Sequence, residues 1–554
     1  MKSGPTELTL AALILGSTAS ILTPANSFAA ISITGDVYPD LSGLQDRHDA
    51  RIGDRGDGSL TIDNGSRLTS RRGEIGPTTG ASGAVLVSGP GSAWEVEDEL
   101  EVGGSGDGIL TIQDGASVSV GEETTLAWRP MVSGPIRFDQ GTLTTQSLYA
   151  DFDDLTGTGT IHTQGVIADE IDLTFSPALG RSQQLLLNQV PGQNISLNLN
   201  PTQQGILGAG YDGTGSVMIR DGISVNSYEG FLGYLNGSSG RVTVTGAESQ
   251  WNIERSLSVG QEGHGVLRIA DSAVVNVDLW TRVGRRPGGT GAIEFDHGTL
   301  NTDTLAVDIT ELKGTGTIYA KGLIGEGYDL LFDASHGAVK TIHLNSQPGQ
   351  DITVHLDLNG LGVLGVGRKG TGSLVIRDGV SILNLFGYVG YLDGSKGEAT
   401  VSGQGTRWWP YNSLFVGVAG NGELTIEDGA LVQTENLTLH SLPDYYDSSS
   451  YVNLINGGML AIRGDADESI MDFYELIYHQ LSGWYDTLRY WDAAQSGWAG
   501  ITGATLGEDY TLAYSDTGDL AGYTVLTVHA VPEPGMLMLL GGGWTACFSS
   551  CRRR

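Results

Sequence analysis

The sequence predicts an all-β fold: a right-handed parallel β-solenoid of roughly 25-residue coils, in three 157-residue super-repeats with a C-terminal cap. Three observations carry this. The block GILGAGYDGTGSVMIRDGISV from Gly205 returns 157 positions later as GVLGVGRKGTGSLVIRDGVSI from Gly362, and the same register 157 positions earlier reads DARIGDRGDGSLTIDNGSRL from Asp49. Inside that unit the glycines keep a finer step. Gly58, Gly83, Gly108, Gly134 and Gly159 are 25, 25, 26 and 25 apart; the ladder returns at Gly215, Gly240, Gly265, Gly291 and Gly316, and again at Gly372, Gly397 and Gly422. Third, short runs alternate in hydrophobicity, as at Leu60 and Ile62, Leu110 and Ile112, Val217 and Ile219, and Leu374 and Ile376. Period two makes each run a strand with one face inward. A 25-residue step is too short for a propeller blade of roughly 40 residues. One coil cannot bury its apolar face alone, so coils must stack.

In chain order, residues 1–29 read as a secretory signal peptide. Lys2 is its positive end, Leu8 to Leu22 its apolar stretch, and Ser27-Phe28-Ala29 a small-x-small cleavage site. Residues 30–48 are a lead-in or N-terminal cap. Residues 49–462 hold the repeats, roughly 16 or 17 coils in a rod on the order of 80 Å long at about 4.8 Å per coil. Ser59, Ser216 and Ser373 keep the long register, and GPIRFDQGTL from Gly134 matches GAIEFDHGTL from Gly291. A third copy, LINGGML from Leu454, lies three residues late. Asn-Gly and Asp-Gly pairs at Asn64, Asp114, Asp221, Asp378 and Asp428 mark corners. Little helix is expected. Residues 463–530 are an end cap, with Met471, Phe473, Leu476, Ile477 and Leu481 near helical spacing and Tyr510 to Val528 alternating as a closing strand pair. Residues 531–554 form a separate tail.

Net charge is −34, from 64 acids against 30 Lys and Arg. That excess argues against nucleic acid and anionic membrane as partners. The only cysteines are Cys547 and Cys551, so the repeats hold neither a disulfide nor a cysteine metal site.

In the tail, Pro532-Glu533-Pro534 is followed by an apolar run from Gly535 to Cys551 and a basic stop at Arg552, Arg553 and Arg554. This order resembles the PEP-CTERM sorting signal of exported bacterial proteins. The resemblance implies an exosortase-like processing enzyme as partner, and membrane contact only through leader and tail before processing. In the body, GPGSAW (Gly89–Trp94), GAESQW (Gly246–Trp251) and GQGTRW (Gly403–Trp408) each precede a Leu-x-Val-Gly strand beginning at Leu100, Leu257 and Leu414. These repeats resemble those of β-helical autotransporter-type passengers, which implies a surface location and adhesion.

Side chains that bear chemistry are few. Trp94, Trp251 and Trp408 define the repeat and are expected to pack within the coils. Trp409, with Tyr411 close by, is the better candidate for carbohydrate contact, because neighbouring residues of a strand face opposite ways. The corner aspartates Asp114, Asp221, Asp271, Asp378 and Asp428 are expected to cap backbone in Asx turns rather than to bind Ca²⁺, which needs six to eight oxygens in one place. Asp151, Asp153 and Asp154 are the densest acidic set. Asp151 recurs as Asp308, whereas Asp153 and Asp154 map to Thr310 and Glu311. No H-E-x-x-H, G-x-S-x-G or P-loop is present. No catalytic residue, cofactor or metal is assigned. The reading is an exported, non-enzymatic surface or matrix protein that presents a repeated surface for adhesion or association with extracellular polysaccharide. The alternatives are a polysaccharide lyase or glycoside hydrolase on the same fold, and a purely structural envelope scaffold.

Overall fold

The computed structural model describes residues 30–39, 48–127, 132–286, 288–327, 329–335, 339–358, 360, 362–439, 450–478 and 487–529. The leader at 1–29, the Pro532-Glu533-Pro534 motif and Arg552 to Arg554 lie outside them. Strand makes up 61% and helix 4%, so the alternating runs dominate as their period requires. They build a parallel β-solenoid with three faces. On the first, Asp57–Asp63, Ser82–Ser88 and Asp107–Gln113 pair in parallel, with Leu60, Val85 and Leu110 in one row. On the second, Leu68, Trp94 and Val118 share a row. On the third, Ile52, Ile75, Val102 and Leu126 do. All these inward residues belong to one buried core that runs through the coils.

The Asn-Gly and Asp-Gly pairs sit where the first face turns into the second. Asn64 and Gly65 have φ of 53° and 76°, and Asp221 and Gly222 62° and 83°. Two left-handed residues in succession suit a hairpin. Here the same pair turns the chain through one corner of a coil, and the next strand finds its partner one coil away.

First-face strands begin successive coils at Asp57, Ser82, Asp107, Ile136, Leu155 and Asp172, then at Thr214, Ser239, His264, Thr290, Leu312 and Asp329, and finally at Thr371, Lys396, Asn421 and Tyr451. Each of the first two 157-residue units is six coils; the third has four complete coils, and Leu488–Asp492 adds a last parallel strand to the first face on Tyr451–Ile455. Not every step is 25 residues. Ile136–Tyr149 and Leu155–Ala168 run across all three faces as continuous 14-residue strands. Their rows join Gly141 to Gly159 and Leu143 to Ile161, eighteen residues apart. The 25-residue step from Gly134 to Gly159 is therefore not a coil step. Corners made without loops shorten this turn.

The lost residues reappear in the next coil, which departs from the solenoid pattern. Gln183–Leu187 folds back antiparallel on Asn194–Leu199, and Val339–Leu344 does the same on Asp351–Asp357. Pro191-Gly192 and Pro348-Gly349 turn these hairpins, with Gly192 and Gly349 at φ 82° and 76°. A Pro-Gly pair between alternating runs is a hairpin signal, and the regular ladder obscured it. At both places the second-face ladder ends on the hairpin and resumes at Ser224–Ser227 or Ser381–Val389. The first face restarts at Asp172–Phe175 and Asp329–Phe332. Among the described residues only the third face passes both junctions unbroken, through Val166–Leu207–Gly230 and Leu323–Leu364–Gly387. It is the spine of the molecule.

Trp94, Trp251 and Trp408 are 0% exposed, and each indole N–H donates inward, to Ser70 Oγ, Ser227 Oγ and Asn384 Oδ1 at 2.9–3.0 Å. Each ring lies against a glycine of the third face. A Cβ on Gly73, Gly230 or Gly387 would come within 2.7–3.0 Å of it. Trp and Gly are thus one packing unit, repeated at 157 residues.

Both ends are closed by antiparallel strands. Ala30–Gly35 pairs with Asp57–Asp63, while Tyr523–Val528 covers Met459–Arg463 and pairs in turn with Tyr510–Ser515. The expected helix is short, Ile470–Glu475, capped by Ser469. It stops because Ile477–Tyr478 is taken up as a strand on the third face; Leu481 lies outside the described residues.

Candidate functional site

The hairpins leave two equivalent grooves on the second face, 157 residues apart. The groove in the second unit encloses about 710 Å³ between Asn276, Asn301, Asp303, Tyr319, Lys321 and His355. Its counterpart in the first unit, about 480 Å³, is lined by Thr144, His162, Gln164, Gln184, Asn198 and Asn200.

One outward row runs into the second groove. Asn226, Asn252, Asn276 and Asn301 stack in register, and each amide N–H₂ donates to the carbonyl oxygen of the previous one, at 2.9, 2.7 and 2.7 Å. The row continues to Tyr319 and His355. Their rings stack at 4.8 Å and 17°, with Tyr319 50% exposed. Beside them Lys321 Nζ pairs with Asp303 at 2.6 Å. An open ring face beside fixed amides suits recognition of a sugar, which offers apolar C–H faces and hydroxyls together. In the first unit His162 and Asn198 replace the stacked rings, so that groove is polar but has no platform.

Trp409 lies on the same outward row one unit later, at the position of Asn252, in register with Leu383. The Arg407 guanidinium covers one face of its ring, 4.4 Å from the centroid, and its buried indole N–H has no partner among the described residues. Tyr411 is half-buried in the same strand. The structure thus places Trp409 on the outer side of the second face, but beneath an arginine. The groove aromatics Tyr319 and His355 were missed from sequence, because only the shortened coil brings them into register.

The corner aspartates differ from expectation. Asp114, Asp221, Asp271, Asp378 and Asp428 have φ between 52° and 62°. That backbone turns their carboxylates sideways to the neighbouring coil, as in Ser88 Oγ to Asp114 at 3.1 Å and Thr245 Oγ1 to Asp271 at 2.6 Å. Asp114, Asp271 and, through Asn456, Asp428 tie coils together instead of capping their own turns, whereas Asp221 and Asp378 pair with the arginines before them, Arg220 and Arg377, each at 3.5 Å. Among the described residues no group of three His, Cys, Asp or Glu is arranged to hold a metal ion.

Asp151 caps the single turn Phe152–Asp154, accepting from the Asp153 N–H at 2.8 Å. Asp308 repeats this at Thr310. The first junction adds acids that sequence did not bring together. Burial pushes the Asp154 carboxyl up to about 6, with Asp151 and Asp212 adding to it. Burial likewise pushes Asp169 up to about 7, although backbone N–H groups of Gly213, Tyr211 and Asp212 oppose the shift. Asp169 accepts from Tyr211 N at 2.8 Å and Gly213 N at 3.1 Å, so it clamps a loop.

Comparison with known protein families, with curated proteins and with solved structures finds no match to this chain.

Proposed function

We propose that this chain is an exported, non-enzymatic surface or matrix protein that presents repeated grooves to extracellular polysaccharide. The observation that carries the proposal is the recurrence of one groove at the 157-residue period, with fixed amides leading into an exposed Tyr319–His355 stack in the second copy. A rigid array multiplies a weak contact by presenting it more than once along one polymer. The tail at Pro532-Glu533-Pro534 and Arg552 to Arg554 supports sorting by an exosortase-like enzyme, with surface or extracellular release.

The test mixes the purified protein with polysaccharide from the producing organism's envelope, and follows both co-sedimentation and polymer length. Saturable co-sedimentation without shortening is expected, weakened about tenfold by Tyr319→Ala, since one aromatic contact is worth roughly 1 kcal/mol or more. Shortened polymer would overturn the reading in favour of a lyase or hydrolase. Absence of binding would leave only the scaffold.

A further inference from the structure

The chain is strongly acidic, and most of its described arginines are matched to a carboxylate, as in Arg51–Glu74, Arg71–Asp49, Arg268–Asp296 and Arg286–Glu262. Arg282 is different. It stands on the outer side of the third face in Val274–Val283, in register between Ser258 and Ala306, two small residues. Among the described residues it forms no ion pair. Its guanidinium instead lies over the Trp280 ring, 4.2 Å from the centroid. Burial lowers it to about 10, and Arg285 is the next cause, so a second cation stands close by. Among the described residues Arg285 itself donates to the neutral Gln261 amide, at 3.1 Å, and forms no ion pair.

Two further features point to a ligand. The Ser258 hydroxyl, beside Arg282 in the register, is buried and has no hydrogen-bond partner among the described residues. Around the arginine the surface is aromatic: Trp280, Phe386 and Tyr388 pack over Ala306 and Ile324, and Tyr388 stacks on Phe415 at 4.9 Å and 7°. These rings are only half-buried. The corresponding place in the first unit holds Glu123 and Thr125, so no arginine stands there.

We propose that Arg282, with Trp280, Ser258, Arg285 and Tyr388, forms a binding site on the spine for a carboxylate-bearing sugar unit of a polysaccharide. A guanidinium held by a ring presents a planar fork that matches a carboxylate with two parallel hydrogen bonds. The half-buried setting strengthens that pair relative to open surface. The flanking rings offer faces for the sugar's C–H groups. A peptide carboxylate suits the site less, because third-face strands are hydrogen-bonded on both sides and leave no edge for a peptide backbone. The site lies on a different face from the grooves and does not depend on them.

The test titrates the purified protein with polygalacturonate oligomers by calorimetry, beside carboxyl-reduced oligomers, dextran sulfate and poly-L-glutamate. Saturable binding of the polyuronate is expected, with at least tenfold weaker binding of the reduced form, the sulfated polymer and the polypeptide. Arg282→Gln should weaken polyuronate binding at least tenfold, while Tyr319→Ala leaves it unchanged. Arg282→Lys, which keeps charge but not the fork, should retain part of the affinity and stands in if the glutamine variant does not fold. Wild-type affinity in both Arg282 variants, equal binding of the reduced oligomers, or equal binding of dextran sulfate or poly-L-glutamate would overturn the proposal. A loss confined to Tyr319→Ala would also overturn it, while leaving the groove reading intact.

Discussion

The two junctions between super-repeats, 151–213 and 308–370, solve the same structural problem with opposite charge. In each, a glutamine amide bridges the interrupted first face: Gln193 donates to Phe152 O and Leu155 O, Gln350 to Ile309 O and Leu312 O. In each, a carboxylate clamps the loop that leaves the third face for the next first-face strand, Asp169 in one and Glu326 in the other. In each, a large side chain reaches back across the coils. Tyr211 Oη donates to Leu126 O at 2.8 Å; at the equivalent position Arg368 donates to Val283 O at 2.5 Å and Gly284 O at 3.2 Å. Beside them stand Asp212 and Lys369. The first junction therefore crowds acids together. The second pairs Glu311 with Arg368 and Lys369 at 3.7 and 3.6 Å. The fold requires a long donor and a clamp, and leaves the sign of the charge open.

The largest break in this comparison is expected at Arg368, which is 2% exposed at its side chain. Arg368→Met leaves two buried carbonyls without their donor and removes one of the two cations beside Glu311, and should cost about 2–3 kcal/mol locally. Hydrogen exchange of 362–370 is the measurement, because a repeat array does not report one global unfolding energy.

Next in size is a pH effect confined to the first junction. Asp154 and Asp169 titrate higher in the folded chain, at about 6 and about 7, than carboxyls do in an unfolded one. The folded state thus holds protons more tightly, and its stability falls as pH rises through those values. Amides of 207–213 should exchange more slowly at pH 5 than at pH 7.5 after correction for intrinsic rates. In the second junction Glu311 and Glu326 are also raised by burial, but Arg368 and Lys369 oppose the shift, so a smaller change is expected there.

Asp212→Lys should reduce the contrast by copying Lys369 into the first junction. It should stabilise that junction at neutral pH by roughly 1 kcal/mol, about one unit of carboxyl titration, and flatten its pH response. Tyr211→Phe is the smallest change. It removes one buried hydrogen bond and should cost about 1 kcal/mol, measured on the same amides.

The sequence by itself determined the coil, the inward rows and the ends. Glycine spacing and period-two alternation report local backbone and the in–out choice, which any strand of that composition must make. They were enough to place Trp94, Trp251 and Trp408 in the core and to mark Tyr510 to Val528 as a closing pair. The outer surface was decided only by the tertiary structure. Which outward residues meet depends on the exact length of every coil between them. The eighteen-residue step and the folded-back strand that follows it shift that register without disturbing the 157-residue repeat. That is why the Tyr319–His355 stack, the asparagine ladder and the acid cluster of the first junction were not legible in the chain. The neighbour that left Trp409 half-covered, Arg407, stands two residues away, yet only the folded coil laid its guanidinium on the ring.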